Sequence, residues 1–204
     1  MSTRLHSTRT QRKDNGRSDA AAVRIAAVQM ASGPRVESNL KEAAWLIETA
    51  VEQGAKLVAL PEYFGIMGMK DTDKVAVREE FGKGPIQEFL SDTAKKHGIW
   101  IVGGSVPLVA SSPKKVMNTS LVYDNKGKCV ARYDKIHLFG FEMGDERYSE
   151  QTTIEHGKQV VAFDTPFGRI GLSICYDLRF PVWSRNVEGY DLLLYMANWP
   201  DRRS

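Results

Sequence analysis

Apolar residues fall along this chain in short runs, and between the runs they recur at helical spacing. The first run, Val23-Arg24-Ile25-Ala26-Ala27-Val28-Gln29-Met30, reads as a buried strand, and Gly33-Pro34 breaks the chain after it. Leu40, Ala43, Ala44, Ile47, Ala50 and Val51 then share one helical face, with Ser38 or Asn39 as a cap and Gly54 at the stop. Lys56-Leu57-Val58-Ala59-Leu60 is a second apolar strand, ended by Pro61 and followed at once by Glu62. Strand, amphipathic helix, strand is the pattern of a βαβ unit, so the chain is predicted to be α/β with some parallel pairing.

Further on, the polar stretch Gly65 to Gly84 predicts a long loop with one helical turn. Ile86, Phe89, Leu90 and Ala94 mark a second amphipathic helix closed by Gly98, and Ile99-Trp100-Ile101-Val102 is another buried strand. Ser111 to Lys115 reads as a surface loop. Asn118 to Tyr123 and Lys128 to Tyr133 alternate around Asp124-Asn125-Lys126-Gly127, a hairpin pattern. Residues 139 to 158 are poor in apolar side chains and predict a long functional loop. A second hairpin is predicted from Gln159 to Asp164 and Arg169 to Ile174, turning through Thr165-Pro166-Phe167-Gly168. Leu178 to Asn186 reads as helical with Pro181 in its first turn, and Asp191 to Met196 is the last strand.

Composition narrows the class. With 204 residues, 42% hydrophobic and 26% charged, the chain is large enough for one domain with a sizeable core. The net charge of +3 is concentrated in residues 1–21, an Arg-, Ser- and Thr-rich segment with almost no apolar content. That segment reads as a disordered tail; Asp14, Asp19 and the missing apolar stripe argue against an organelle-targeting peptide. The nearly neutral body, residues 22–204, gives no reason to expect a nucleic-acid partner. The two cysteines, Cys129 and Cys175, do not form a disulfide framework, and His6, His97, His137 and His156 lack metal-ligand spacing. No apolar run approaches the roughly 18 residues of a membrane helix. A cytoplasmic enzyme or binding protein is the expectation.

Three polar residues stand at or just after strand ends, where ligand sites of open α/β sheets gather: Glu62, Lys135 and Cys175. Cys175 ends an apolar run and precedes a polar segment able to open a helix. A thiol at such a corner is exposed, and a helix N-terminus beside it would favour the nucleophilic thiolate. Taken alone, it reads first as a small buried hydrophobe, as most lone cysteines are. Glu62 and Lys135, each alone, read as surface charges.

Taken together, three blocks resemble the signatures of the nitrilase superfamily, the carbon–nitrogen hydrolases. They are Leu60-Pro61-Glu62, Tyr133-Asp134-Lys135-Ile136-His137-Leu138-Phe139, and Ile174-Cys175-Tyr176-Asp177-Leu178-Arg179-Phe180-Pro181. Order and approximate spacing match as well, and the likeness runs from about Val23 to the chain's end. The resemblance implies a four-layer α-β-β-α sandwich and a Glu-Lys-Cys triad. In it Glu62 is the general base, which needs a raised pKa in a confined site. Lys135 and the backbone N–H of Tyr176 stabilise the oxyanion, and Cys175 forms a thioester; no metal or organic cofactor is implied.

A second glutamate stands near the triad in many members. Glu150 fits the pattern of the small Nit-type amidases and is preferred; Glu142 fits the spacing of longer aliphatic amidases. Arg179 is read either as a carboxylate-binding group or as an ion-pair partner fixing the segment after Cys175. Tyr63, Asn198 and Trp199 are further pocket candidates. His137 is the rival base, since Cys–His pairs drive many thiol hydrolases.

The resemblance implies an amidase acting on a small carboxylate-bearing amide and assembling, when full length, as a homodimer or higher homo-oligomer. Tyr190 to Pro200, with Pro181 to Asn186, looks like the omega-amidase group acting on 2-oxo acid ω-amides, whereas Lys135 to Gly157 looks like relatives that hydrolyse deaminated glutathione. A nitrilase proper and a non-catalytic ligand-binding or scaffold protein are the alternatives. Family domains usually continue past Asn198-Trp199-Pro200, so a C-terminally truncated copy is expected.

Overall fold

The computed structural model describes residues 22–181 and 189–199. In chain order the elements are β1 (Ile25–Ala27), α1 (Val36–Glu52), β2 (Leu57–Ala59), α2 (Asp73–Ala76), α3 (Pro85–His97) and β3 (Trp100–Val102). There follow β4 (Val106–Val109), β5 (Val116–Tyr123), β6 (Cys129–Asp134), β7 (Gly140–Met143), β8 (Glu146–Ser149) and β9 (Ile154–Glu155). The chain continues with β10 (Ala162–Thr165), β11 (Gly168–Ile174) and β12 (Leu192–Met196); 3-10 turns occupy Glu150–Thr152 and Cys175–Arg179.

β1, β2 and β3 run parallel, as the strand–helix–strand pattern predicts, and β5 joins them antiparallel with β4, β6 and β9 beside it. A second sheet has β10 antiparallel to β11 and β11 parallel to β12. Side-chain alternation along the strands sorts residues into two cores. Val58 and Ile101 face Ala43 and Ile47 of α1 and Leu90 and Ala94 of α3. Leu57, Ala59, Val102 and Val122 face the other way and meet Phe163, Ile170, Leu172, Ile174 and Met196 of the second sheet. Helices, sheet and sheet are thus stacked in that order. Among the described residues no helix covers the outer face of the second sheet.

Several local expectations change. β1 is not buried: Ile25 is 40% exposed, because β1 is the edge strand and pairs with β2 alone among the described residues. Asn39 is buried inside α1 and caps nothing. Its side chain ties down two loops, accepting from Gly33 N (2.8 Å) and donating to Gly33 O (2.8 Å) and Gly65 O (3.0 Å). The stretch 139–158 is not a bare loop but holds the β7–β8 hairpin, which projects with β7 fully exposed. With no buried face it has no alternation to read. The loop at 65–84 does hold one helical turn, α2. Of the helix expected from Leu178, residues 182–188 lie outside the described residues.

Candidate active site

β2 ends at Ala59, and Pro61 cannot extend the ladder, so Glu62 leaves the sheet at its carboxyl end. Its side chain is buried. Glu62 Oε1 accepts from Lys135 Nζ (3.0 Å) and Asn118 Nδ2 (2.9 Å), and Oε2 from the backbone N–H of Asn198 (3.2 Å). Room for this corner comes from Gly104, where a Cβ would sit 1.9 Å from the Pro61 carbonyl oxygen.

Lys135 follows β6 and is fully buried. Its backbone is clamped on both sides, N–H to Asn118 O (2.9 Å) and C=O from Gly157 N (2.7 Å). Gly157 has no alternative, since a Cβ there would lie 2.0 Å from the Asp134 carbonyl oxygen. The ammonium bridges Glu62 and Glu150, each at 3.0 Å. Burial alone lowers a lysine pKa, but the two carboxylates outweigh it and hold Lys135 above its usual value. Glu150 is fixed in turn by Phe139, whose N–H donates to Oε2 (2.7 Å) while its carbonyl accepts from Glu150 N (2.9 Å).

Cys175 comes from the second sheet, at the end of β11, and its thiol feels the charge of the Glu62 carboxylate. Burial and then the Glu62 charge push the thiol up to about 12, with Lys135 acting in the opposite sense. The Cys175 side chain therefore rests as a neutral thiol. The thiolate expected from a helix N-terminus does not form because only a 3-10 turn follows, and the nearest charge is a carboxylate. Cys175 (φ +48°) and Tyr63 (φ +52°) are the only non-glycine residues with positive φ among those described. A left-handed residue of this kind costs about 1–2 kcal/mol. That both flank this one site fits the clustering of backbone strain at functional positions.

Asp177 holds the strained corner. It is buried, and Oδ2 accepts from Ile174 N (2.9 Å) and from Tyr133 Oη (2.6 Å). Oδ1 accepts from His137 N (3.0 Å) and meets His137 Nδ1 at 2.7 Å. The His137 ring also stacks on Phe180, centroids 3.9 Å apart. Asp177 thereby links the strand of Lys135 to the turn of Cys175.

The structure thus gathers Glu62, Lys135, Glu150 and Cys175 at one point. Among the described residues no group of three His, Cys, Asp or Glu is arranged to hold a metal ion; the cation between the two glutamates is the Lys135 ammonium. Glu142 lies elsewhere, exposed on the β7–β8 hairpin and paired with Arg147. Tyr63 is buried beside Glu62, and Tyr176 is the second residue of the turn, its ring edge-on to Phe139 at 5.2 Å. Asn198 enters through its backbone. Arg179 and Trp199 are exposed. Sequence reasoning missed Asn118 and Asp177. Asn118 carries a weak signal, a polar side chain inside the apolar run of β5; Asp177 carries none beyond nearness to Cys175.

A family model described as carbon–nitrogen hydrolase matches residues 24–204, and the chain belongs to that family. Its relatives include a deaminated glutathione amidase of Yersinia enterocolitica, 36% identical over 77% of this chain and 55% of that protein. Another is omega-amidase NIT2-B of Xenopus laevis, 37% identical over 86% of this chain and 63% of that protein. Among solved structures the NitFhit protein of C. elegans superposes with a TM-score of 0.75 at 34% identity, covering 86% of this chain and 43% of that one. The chain therefore spans little more than half to two thirds of the length of these curated relatives. The α/β fold is that of the nitrilase superfamily.

Proposed function

We propose that the protein is an amidase that hydrolyses the C–N bond of a small carboxylate-bearing amide through a thioester on Cys175. The supporting observation is the buried Lys135 ammonium bridging Glu62 and Glu150, with the Cys175 thiol under the influence of the Glu62 charge. Because the thiol is neutral at rest, Glu62 takes its proton as sulfur attacks the amide carbonyl carbon. The tetrahedral oxyanion forms beside Lys135 and the Tyr176 N–H, each such donor lowering the barrier by about 3 kcal/mol. Collapse breaks the C–N bond, and the proton on Glu62 passes to nitrogen, so ammonia leaves. Water then gives its proton to Glu62 and its oxygen to the thioester carbon, releasing the acid and restoring the thiol. Glu150 keeps the Lys135 ammonium aligned and charged.

Tyr63 lies in the wall beside Glu62, and Asn198 lies on the other side through its backbone contact. The substrate assignment is the omega-amidase one, a 2-oxo acid ω-amide, supported by the Xenopus relative. The Yersinia relative supports deaminated glutathione as the second reading. The ratio of kcat/KM on 2-oxoglutaramate and on deaminated glutathione decides between them. Trp45, 64% exposed on α1, supports a homodimer through the helix face, and two free cysteines suit a reducing compartment, for which we assign the cytoplasm. The test of the activity is acyl trapping: incubation with an amide substrate and rapid acid quench should add one acyl mass to the Cys175 peptide while ammonia accumulates. Unmodified Cys175 without ammonia release rejects the amidase reading in favour of a binding protein.

A further inference from the structure

Next to Glu62 in the chain, and within reach of the charges of Glu62 and Glu150, lies a polar group that the catalytic steps leave unused. Tyr63 follows Glu62, is only 7% exposed, and its hydroxyl has no hydrogen-bond partner among the described residues. Buried polar groups are rarely left so unless something else fills the place. Burial, with the charges of Glu62 and Glu150, holds this phenol well above its ordinary pKa, so it offers a proton throughout the accessible range.

Lys74, on the one-turn helix α2, sets its ammonium 5.5 Å from the centroid of the same ring. Its side chain is 13% exposed, yet its polar contacts are long: 3.5 Å to Asp71 Oδ1 and 3.4 Å to Thr153 Oγ1. Tyr148 Oη reaches the same Asp71 oxygen, also at 3.5 Å. Thr153 closes the turn of Glu150, donating its N–H to the Glu150 carbonyl (3.1 Å). A largely buried cation therefore sits against Tyr63, the neighbour of Glu62, and Thr153, in the turn of Glu150, without one short contact. The charged acceptor within reach, Asp71, is 45% exposed and has water to turn into.

We propose that Lys74 and the Tyr63 hydroxyl form a subsite for the distal carboxylate of the substrate, with Asp71 turning to solvent when the site fills. A carboxylate taken out of water needs a cation and further donors, and this group supplies both. Arg179, the guanidinium that sequence reading pointed to, is exposed, where screening weakens a pair. Naming the ligand as substrate rests on the amidase reading; the binding itself does not.

The test is protection of Cys175 from iodoacetamide by glutarate, a dicarboxylate, read by mass on the Cys175 peptide of the full chain. Glutarate should protect the native protein, and Lys74→Met should raise the half-protecting concentration at least tenfold. Lys74→Arg should restore most of the protection, Tyr63→Phe should weaken it a few-fold, and Arg179→Met should protect like the native chain. Equal labelling rates without glutarate establish that the corner is intact in each variant. Lys74→Met protecting at the native concentration, or Arg179→Met losing protection, overturns the proposal. Because no turnover is needed, the two readings fail separately. Lys74-dependent protection without ammonia release keeps the subsite and rejects the amidase. Ammonia release from glutaramate with a KM indifferent to Lys74 does the reverse.

Discussion

The two sheets face each other but are built differently. The seven-stranded sheet has apolar side chains on both faces, Val58 and Ile101 under the helices and Leu57 and Val102 toward its neighbour. The three-stranded sheet commits Ile170, Leu172 and Ile174 to the shared seam, and among the described residues only that face is covered by another layer. Glu62 and Lys135 belong to the first sheet; Cys175 and the Asn198 backbone belong to the second. The distance between Cys175 and Glu62 is thus set by packing across the seam rather than by any one strand. Asp177, bonded to both Tyr133 and Ile174, is the polar tie across it.

Mutation can break this contrast at several levels. Lys135→Met removes the charge that neutralises two buried carboxylates. It should lower ammonia release about 10²–10³-fold and cost about 3–5 kcal/mol in urea unfolding, as losing one partner of a buried ion group does. Leu172→Ala in the seam and Leu90→Ala under the helices should each cost about 2–5 kcal/mol. Only the seam variant should also lower the kcat of the folded fraction, by about tenfold or more, since small misplacements of reacting groups are expensive. Equal kcat in the two variants would remove the seam from the account. Asp177→Asn is milder, removing the charge but not the shape. It should lower kcat several-fold with KM unchanged and cost about 1–3 kcal/mol.

Legibility in the sequence followed how local each cause is. The period of Ala43 and Ile47 in α1, and the short apolar runs of β2 and β3, announced the parallel sheet because burial is written into spacing. Glu62, Lys135 and Cys175 were legible because each ends a strand and sits in a signature block. Glu150 was separable from Glu142 only in part, since their difference lies in which turn packs beneath Lys135 and which rides the exposed hairpin. Asn39, Asn118 and Asp177 were read wrongly or not at all. Each acts on residues far along the chain, Asn118 on Glu62 and Asp177 on Tyr133, and no local pattern records such a contact. The protonation state of Cys175 escaped for the same reason: it depends on burial between the sheets and on Glu62, which is distant in sequence and adjacent in space.

That dependence supplies the most direct measurement, made on Glu62→Gln with two readouts at pH 8. Burial first and then the Glu62 charge hold the Cys175 thiol up, toward about 12. Without that charge the thiol pKa falls, more thiolate is present, and alkylation of the Cys175 peptide by iodoacetamide should become faster than in the native protein. Ammonia release should fall about 10²–10⁴-fold, the usual worth of a general acid–base group. Faster labelling with lost turnover is the predicted result. Labelling that slows, or turnover that survives, would contradict a neutral thiol activated by Glu62 across the seam.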